Sequence, residues 1–296
     1  MRPSCRLLLS SLALCAASVP VMSAFADPAP VIAVNREIGL SMTGTFRNSV
    51  SGYNSRMTEQ GTSGRSGFTE ESASSSRYRT IGWTPGFQVD ASVMFNAFGM
   101  ENLYGALHFS LEDGQRNYKS RYRAYSNLSA PYGFSAGGND SSNGTDNRGE
   151  IGKGFLLLSN SFLLTPFIQG GYTTSGSNGD FGYGYGLYFA GAGLKADYAL
   201  TSRLVLRGRF GWAEVLNSGI SYNKQPRPLW EGGLGVDYRM TRRLHLTAGG
   251  DYSYISYGRN RNAETGMGLE HSYSYSDVSS GLTNGLKLHA GLAWQF

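Results

Sequence analysis

Cysteine is nearly absent. The chain has two, Cys5 and Cys15, and both lie in a leader-like first stretch, so the remainder has no disulfide or thiol chemistry. Charge is scarce, at 16% of residues. After residue 26 no run approaches the roughly 18 apolar residues of a membrane-crossing helix. No extended 3.6-residue periodicity offers a face to a partner helix. The four histidines, His108, His245, His271 and His289, show no His-x-x-x-His or His-x-Glu spacing, so no metal motif and no cofactor site is read from them.

The first 26 residues read as an export signal. Arg2 and Arg6 supply the basic start, residues 7–21 the short apolar stretch, and Ala24-Phe25-Ala26 a small-residue cleavage site before Asp27. Pro20 and the short run argue against an uncleaved anchor; Leu14 before Cys15 argues against a lipoprotein. Removing Arg2 and Arg6 from 26 basic residues leaves 24 against 21 acidic ones, a net of +3. That is too weak to argue for nucleic acid. The expected organisation is a signal peptide over 1–26, a short periplasmic segment over 27–36, and a barrel over 37–296.

Glycine, aromatics and alternation are abundant. There are 41 glycines, 19 tyrosines and 15 phenylalanines, with mean hydropathy −0.29. A transmembrane barrel has such a neutral average because lipid-facing and lumen-facing residues alternate. Ten stretches show a period of two: residues 37–47, 79–95, 103–111, 149–157, 163–172, 185–198, 204–215, 229–239, 244–257 and 286–296. In the first, Ile38, Leu40, Met42 and Phe46 oppose Glu37, Ser41, Thr43 and Thr45. In the last, Leu286, Leu288, Ala290, Leu292, Trp294 and Phe296 oppose Lys287, His289 and Gln295. Pro85 and Pro166 are expected at bulges, since proline removes a ladder donor. Lys153, between Ile151 and Phe155, leaves the facing of the fourth stretch open.

The connections alternate in length. Short ones fall near 96–102, 158–162, 199–203 and 239–243; long ones near 48–78, 113–149, 173–184, 217–228 and 258–281. Short periplasmic turns and long external loops give this rhythm. The fold class expected is all-β: a closed antiparallel transmembrane barrel of ten strands, with eight or twelve as alternatives. An arginine facing lipid at mid-depth costs roughly 2–4 kcal/mol. Arg207 and Arg209 share a face, so that face is the lumen. With Lys195, Asp197, Glu231, Asp237 and Asp251 they are expected to form a lumen ion-pair network in a narrow bore. His245 is read as a structural partner of Asp251. Trp83, Tyr198, Trp212, Trp230, Tyr238, Tyr257 and Trp294 suit interfacial girdles.

The terminal Ala290-Gly291-Leu292-Ala293-Trp294-Gln295-Phe296 resembles the C-terminal signal of outer-membrane proteins. That resemblance implies that Trp294 and Phe296 are read by the barrel-assembly machinery. The strand-turn pattern is similar to autotransporter-type barrels and, over about the last 110 residues, to the ten-stranded omptins. The sharpest omptin match is Gly211-Trp212-Ala213-Glu214. Omptin proteases carry an Asp-x-His pair shortly after this point; ungapped counting places Gly219 and Ser221 there. Their Asp-x-Asp pair has no counterpart. The resemblance implies the architecture and argues against the activity.

Basic residues cluster in two long connections. Arg47, Arg56, Arg65, Arg77 and Arg79 flank or occupy the first; Arg116, Lys119, Arg121 and Arg123, interleaved with tyrosines, occupy the second. Guanidinium groups pair well with phosphate. Arg56, Arg65, Arg116, Lys119, Arg121 and Arg123 are therefore candidates for lipopolysaccharide phosphates. Residues 137–149, rich in Gly, Asn, Ser and Asp, read as a mobile loop. The reading is a non-enzymatic outer-membrane surface protein without cofactor. Its partners are lipid, lipopolysaccharide and an external glycan or protein. The alternatives are a rim enzyme of omptin-like protease or lipid-hydrolase type, with His271 in Glu270-His271-Ser272 as a candidate, and a small pore.

Overall fold

The computed structural model describes residues 29–63, 66–177, 185–218, 228–267 and 271–296. A one-turn helix, α1 (Pro30–Ala33), precedes eleven strand segments: β1 (Glu37–Ser63), β2 (Ser66–Ala97), β3 (Met100–Ser126), β4 (Ser129–Lys153), β5 (Phe155–Leu157), β6 (Phe162–Ser177), β7 (Tyr185–Ala199), β8 (Leu204–Ser218), β9 (Pro228–Arg239), β10 (Leu244–Met267) and β11 (His271–Gln295). All pairings are antiparallel neighbours, β1 pairs β11, and β4 also pairs β6, which closes the sheet. β5 continues β4 past Gly154, so the closed ring has ten strands. At one end the hairpins turn tightly, as at Phe98-Gly99, where both residues have positive φ.

Alternation decides which side chains enter the bore. Ile38, Leu40 and Met42 are exposed on the outside, Met42 to 80%, while Ser41, Thr43 and Thr45 are buried. The same outward apolar run recurs on β11 from Trp294 to Leu286, in register with Ile38 to Phe46. Its length matches the roughly 9–11 residues a tilted strand needs to cross a bilayer. β4 presents Ile151 outward and buries Glu150, which settles the facing of that strand.

Two expectations change. The prolines mark no bulge: β2 and β3 keep one register on either side of Pro85, and β6 and β7 pair continuously through Pro166. Pro85 instead sits in a short unpaired gap in the β2–β3 ladder. Three of the long connections are strands. β1/β2, β3/β4 and β10/β11 run on as paired ladders far beyond the ring, and residues 137–149, read as a mobile loop, belong to β4 and pair with β3. Neighbouring hydrogen-bonded strands impose this conformation on a segment whose composition does not favour it.

The tight-turn end is filled. Residues 29–34 tuck inside it, with Val31 and Val34 packed on Met94, Tyr104, Leu163, Phe167 and Val205. Room for this cluster depends on Gly193, where a Cβ would come within 2.3 Å of the Phe167 ring.

Candidate functional site

The bore holds three tiers of charge. Nearest the tight turns, Lys195 lies 3.4 Å from Asp197 and donates to Asn35 Oδ1. Asn35 donates to Asp197 at 2.8 Å, which ties the N-terminal segment to the wall. Arg207 lies 2.7 Å from Glu37, 3.5 Å from Asp197 and 3.9 Å from Asp237. His245 Nδ1 is 2.8 Å from Asp237 and 3.5 Å from Glu37.

In the middle tier Arg209 reaches Glu150 at 2.6 Å and Glu231 at 3.4 Å. Arg148 pairs with the same Glu231. His108 sits 2.6 Å from Asp90 and 3.5 Å from Glu150. His289 is 3.3 Å from Asp251. In the third tier the Glu112 carboxylate, only 1% exposed, takes Arg47 at 2.9 Å and Lys287 at 3.6 Å, and accepts from the Thr45 hydroxyl at 2.8 Å.

Several of these pairs join strands that are not neighbours, such as β4 to β9 and β8 to β1. They cross the bore and fill it. A cavity of about 120 Å³ remains beside the middle and upper tiers, lined in part by Arg47, His108, Arg148, Arg209, Glu231 and Lys287.

Every residue expected in the lumen network is inside. The one pairing expected for His245 is wrong: it meets Asp237 and Glu37, and Asp251 meets His289. His245 and Asp251 share a face but lie six residues apart, about 20 Å along a strand. Reading the sequence missed Glu37, Asp90, Glu112, Arg148 and Glu150 as members. Their facing follows from alternation: Glu37 and Asp90 sit on the polar side of the first two stretches, whereas Glu112, Arg148 and Glu150 lay at the edge of or within segments read as looped or ambiguous.

Above the ring, β4, β3, β2, β1, β11 and β10 continue as a projecting sheet. Cross-strand register gives its faces. One outward row runs Arg259, Ser280, Gly52, Arg77, Arg121, Ser135; the next runs Arg261, Val278, Asn54, Ser75, Arg123, Gly133. Arg79 and Lys119 oppose each other one row lower, and Arg56 faces outward one row higher. Gly258, at φ +73°, lies within the β10 register shift that turns Arg259 and Arg261 to the outside.

The inner face is different. It carries Tyr53, Tyr78, Tyr118, Tyr122, Tyr132, Phe134, Tyr273 and Tyr275, with Glu59, Glu70, Asp277 and Glu264. Tyr78 stacks on Tyr118 at 5.9 Å, and Tyr122 meets Phe134 at 5.4 Å. Among the described residues these four carboxylates have no ion pair to Lys or Arg; Glu59 lies 3.9 Å from His271.

Of the phosphate candidates, Arg56, Lys119, Arg121 and Arg123 lie exposed on the outer face. Arg116 does not. It is 4% exposed, on the inward face beside Glu112 and opposite Asp140, because β3 carries its alternation unbroken past Glu112. Arg65, Gly219, Ser221 and residues 1–26, expected to be a signal peptide, lie outside the described residues. Arg77, Arg79, Arg259 and Arg261 join the outer face instead. Trp294 and Phe296 are exposed, and Phe296 N–H donates to Arg36 O at 3.1 Å. Of the girdle aromatics, Trp83, Trp212, Trp230, Tyr198, Tyr238 and Trp294 are exposed on the outside. Trp83 packs on Phe46 at 5.5 Å, and Trp212 on Trp230 at 6.4 Å.

The chain is similar in fold to solved barrels. Outer membrane protease OmpT from Escherichia coli shares 12% identity over 87% of this chain and 97% of that one, with a TM-score of 0.41. The β domain of the Bordetella autotransporter BrkA shares 14% identity over 88% of this chain and 100% of that one, at 0.39. The transport unit of autotransporter AIDA-I from Escherichia coli shares 12% identity over 93% and 96%, at 0.33. No family model and no curated protein matches the sequence. The likeness is one of barrel to barrel, and it carries nothing about activity.

Proposed function

We propose that the chain is exported by its N-terminal signal and inserts in the outer membrane of a Gram-negative bacterium. There it acts as a non-enzymatic surface protein. The apolar belt from Ile38 to Phe46 contacts acyl chains, and the projecting sheet stands outside the cell. The outer face of that sheet binds lipopolysaccharide phosphates, and its aromatic inner face stays open to an external partner.

One observation carries this reading. Arg79 faces Lys119 and Arg77 faces Arg121 directly across the β2–β3 ladder. Like charges in opposed positions destabilise a sheet. Arg79 Nε donates to Asn48 at 2.9 Å, and none of these cations forms an ion pair with a carboxylate among the described residues. Arg79 lies four residues beyond the Trp83 ring, about 13 Å along the strand. Phosphates at the membrane surface would relieve the repulsion where it occurs. The crossing pairs of the bore disfavour the pore reading.

Replacing Arg77, Arg121 and Arg123 with Ser tests this. Binding of the refolded barrel to vesicles carrying bis-phosphorylated lipid A is expected to fall at least tenfold. Binding to dephosphorylated lipid A should not change. Equal loss on both, or no loss, defeats the phosphate assignment. Incubating the barrel with basic peptides and with lipid A, followed by mass spectrometry, tests the non-enzymatic part; any product overturns it.

A further inference from the structure

We infer that Glu37, Asp237 and His245 form a binding site for one divalent transition-metal ion of the zinc class, inside the wall at the tight-turn end. Glu37 opens β1, Asp237 lies near the end of β9, and His245 near the start of β10. One ligand atom from each lies within 4.8 Å of the others.

The spacing suits a metal. His245 Nδ1 stands 2.8 Å from Asp237 Oδ1 and 3.5 Å from Glu37 Oε2. Ligand atoms about 2.1 Å from zinc lie roughly 3.0–3.4 Å from one another, so His245 and Asp237 need to part by a few tenths of an ångström to admit the ion.

Burial makes an unfilled site costly. The three residues are 5%, 1% and 1% exposed. Yet Glu37 Oε2 and Asp237 Oδ2 have no hydrogen-bond partner, and His245 Nδ1 has only the 2.8 Å contact with Asp237 Oδ1 and a longer one with Glu37. Buried polar atoms are ordinarily satisfied. A cation at their centre would satisfy Glu37 Oε2, an Asp237 oxygen and His245 Nδ1 together.

The surroundings fit. Arg207 occupies the other Glu37 oxygen at 2.7 Å, which leaves Oε2 free to turn towards His245. One imidazole and two carboxylates suit zinc-like ions; calcium takes six to eight oxygens. Gln295, the register partner of Glu37, also has an unpartnered carbonyl oxygen. It is a natural acceptor for the His245 Nε2–H, the outer partner that fixes a metal-bound histidine. The ion would clip β1 to β9 and β10 across β11. The competing arrangement places a proton on His245, held by the two carboxylates.

Refolded barrel, stripped with EDTA and dialysed, is titrated with Zn²⁺ and separately with Co²⁺. One saturable Zn²⁺ per barrel is expected, with visible d–d absorption from Co²⁺. His245→Ala should lower the affinity at least tenfold, and His271→Ala should leave it unchanged. If His245→Ala fails to refold, Asp237→Asn takes its place. A wild-type barrel that takes up no stoichiometric Zn²⁺ and gives no Co²⁺ band overturns the assignment, as does binding that survives His245→Ala.

Discussion

The bore and the projecting sheet are made from the same strands, yet they sort charge in opposite ways. In the bore, cations face inward and meet carboxylates: Arg207 with Glu37, Arg209 with Glu150, Arg47 with Glu112. Above the ring, Arg77, Arg79, Arg121 and Arg123 face outward while Glu59, Glu70, Glu264 and Asp277 face inward, with Arg116 and Glu71 as exceptions on β3 and β2. The surroundings explain the reversal. At acyl-chain depth no charge is tolerated outside, so both signs are driven in and neutralise each other. Above that depth the outside is polar, and on the proposed reading cations pointing there would meet phosphate.

The largest expected effect breaks the neutrality of the bore. Glu112→Leu leaves Arg47 and Lys287 enclosed without their shared carboxylate. Losing one partner of a buried pair costs about 3–5 kcal/mol, measured as a lower midpoint of urea unfolding in vesicles. A change below about 1 kcal/mol would mean that water, not Glu112, solvates these cations.

A smaller effect sharpens the contrast between depths. Met42→Arg, in the middle of the outward belt, is expected to cost roughly 2–4 kcal/mol. Asn54→Arg, outward on the projecting sheet between Ser75 and Val278, should stay within about 0.5 kcal/mol. Equal costs at the two sites would erase the distinction between belt and sheet.

The smallest effect concerns the inner face. The Tyr53 hydroxyl, bonded to that of Tyr275, holds the Tyr275 phenol well above its ordinary range. Tyr53→Phe should bring Tyr275 ionisation back towards that range in an ultraviolet titration. An unchanged titration would show the pair is not formed in solution.

Much of this was legible in the sequence where one face had to be apolar. Alternation exposed all ten strands and the inward facing of Lys195, Asp197, Arg207 and Arg209. It failed above the belt, because neither face there is apolar and Gly, Ser and Asn mask the pattern. Arg116 shows the loss plainly: its parity with His108, Ser110 and Glu112 was present, but reading the segment as a loop discarded it. The N-terminal segment gave no signal, since Asn35 and Val34 gain their roles only from walls that close around them.

The account depends most on which face of each strand touches lipid. From Asp27 onward the chain has no cysteine, so single cysteines at Met42 and Thr43 can carry a fluorophore without background. In vesicles holding an acyl-chain quencher, the label at 42 should be quenched strongly and the label at 43 spared. Quenching at 43 with protection at 42 would contradict the assignment of inside and outside.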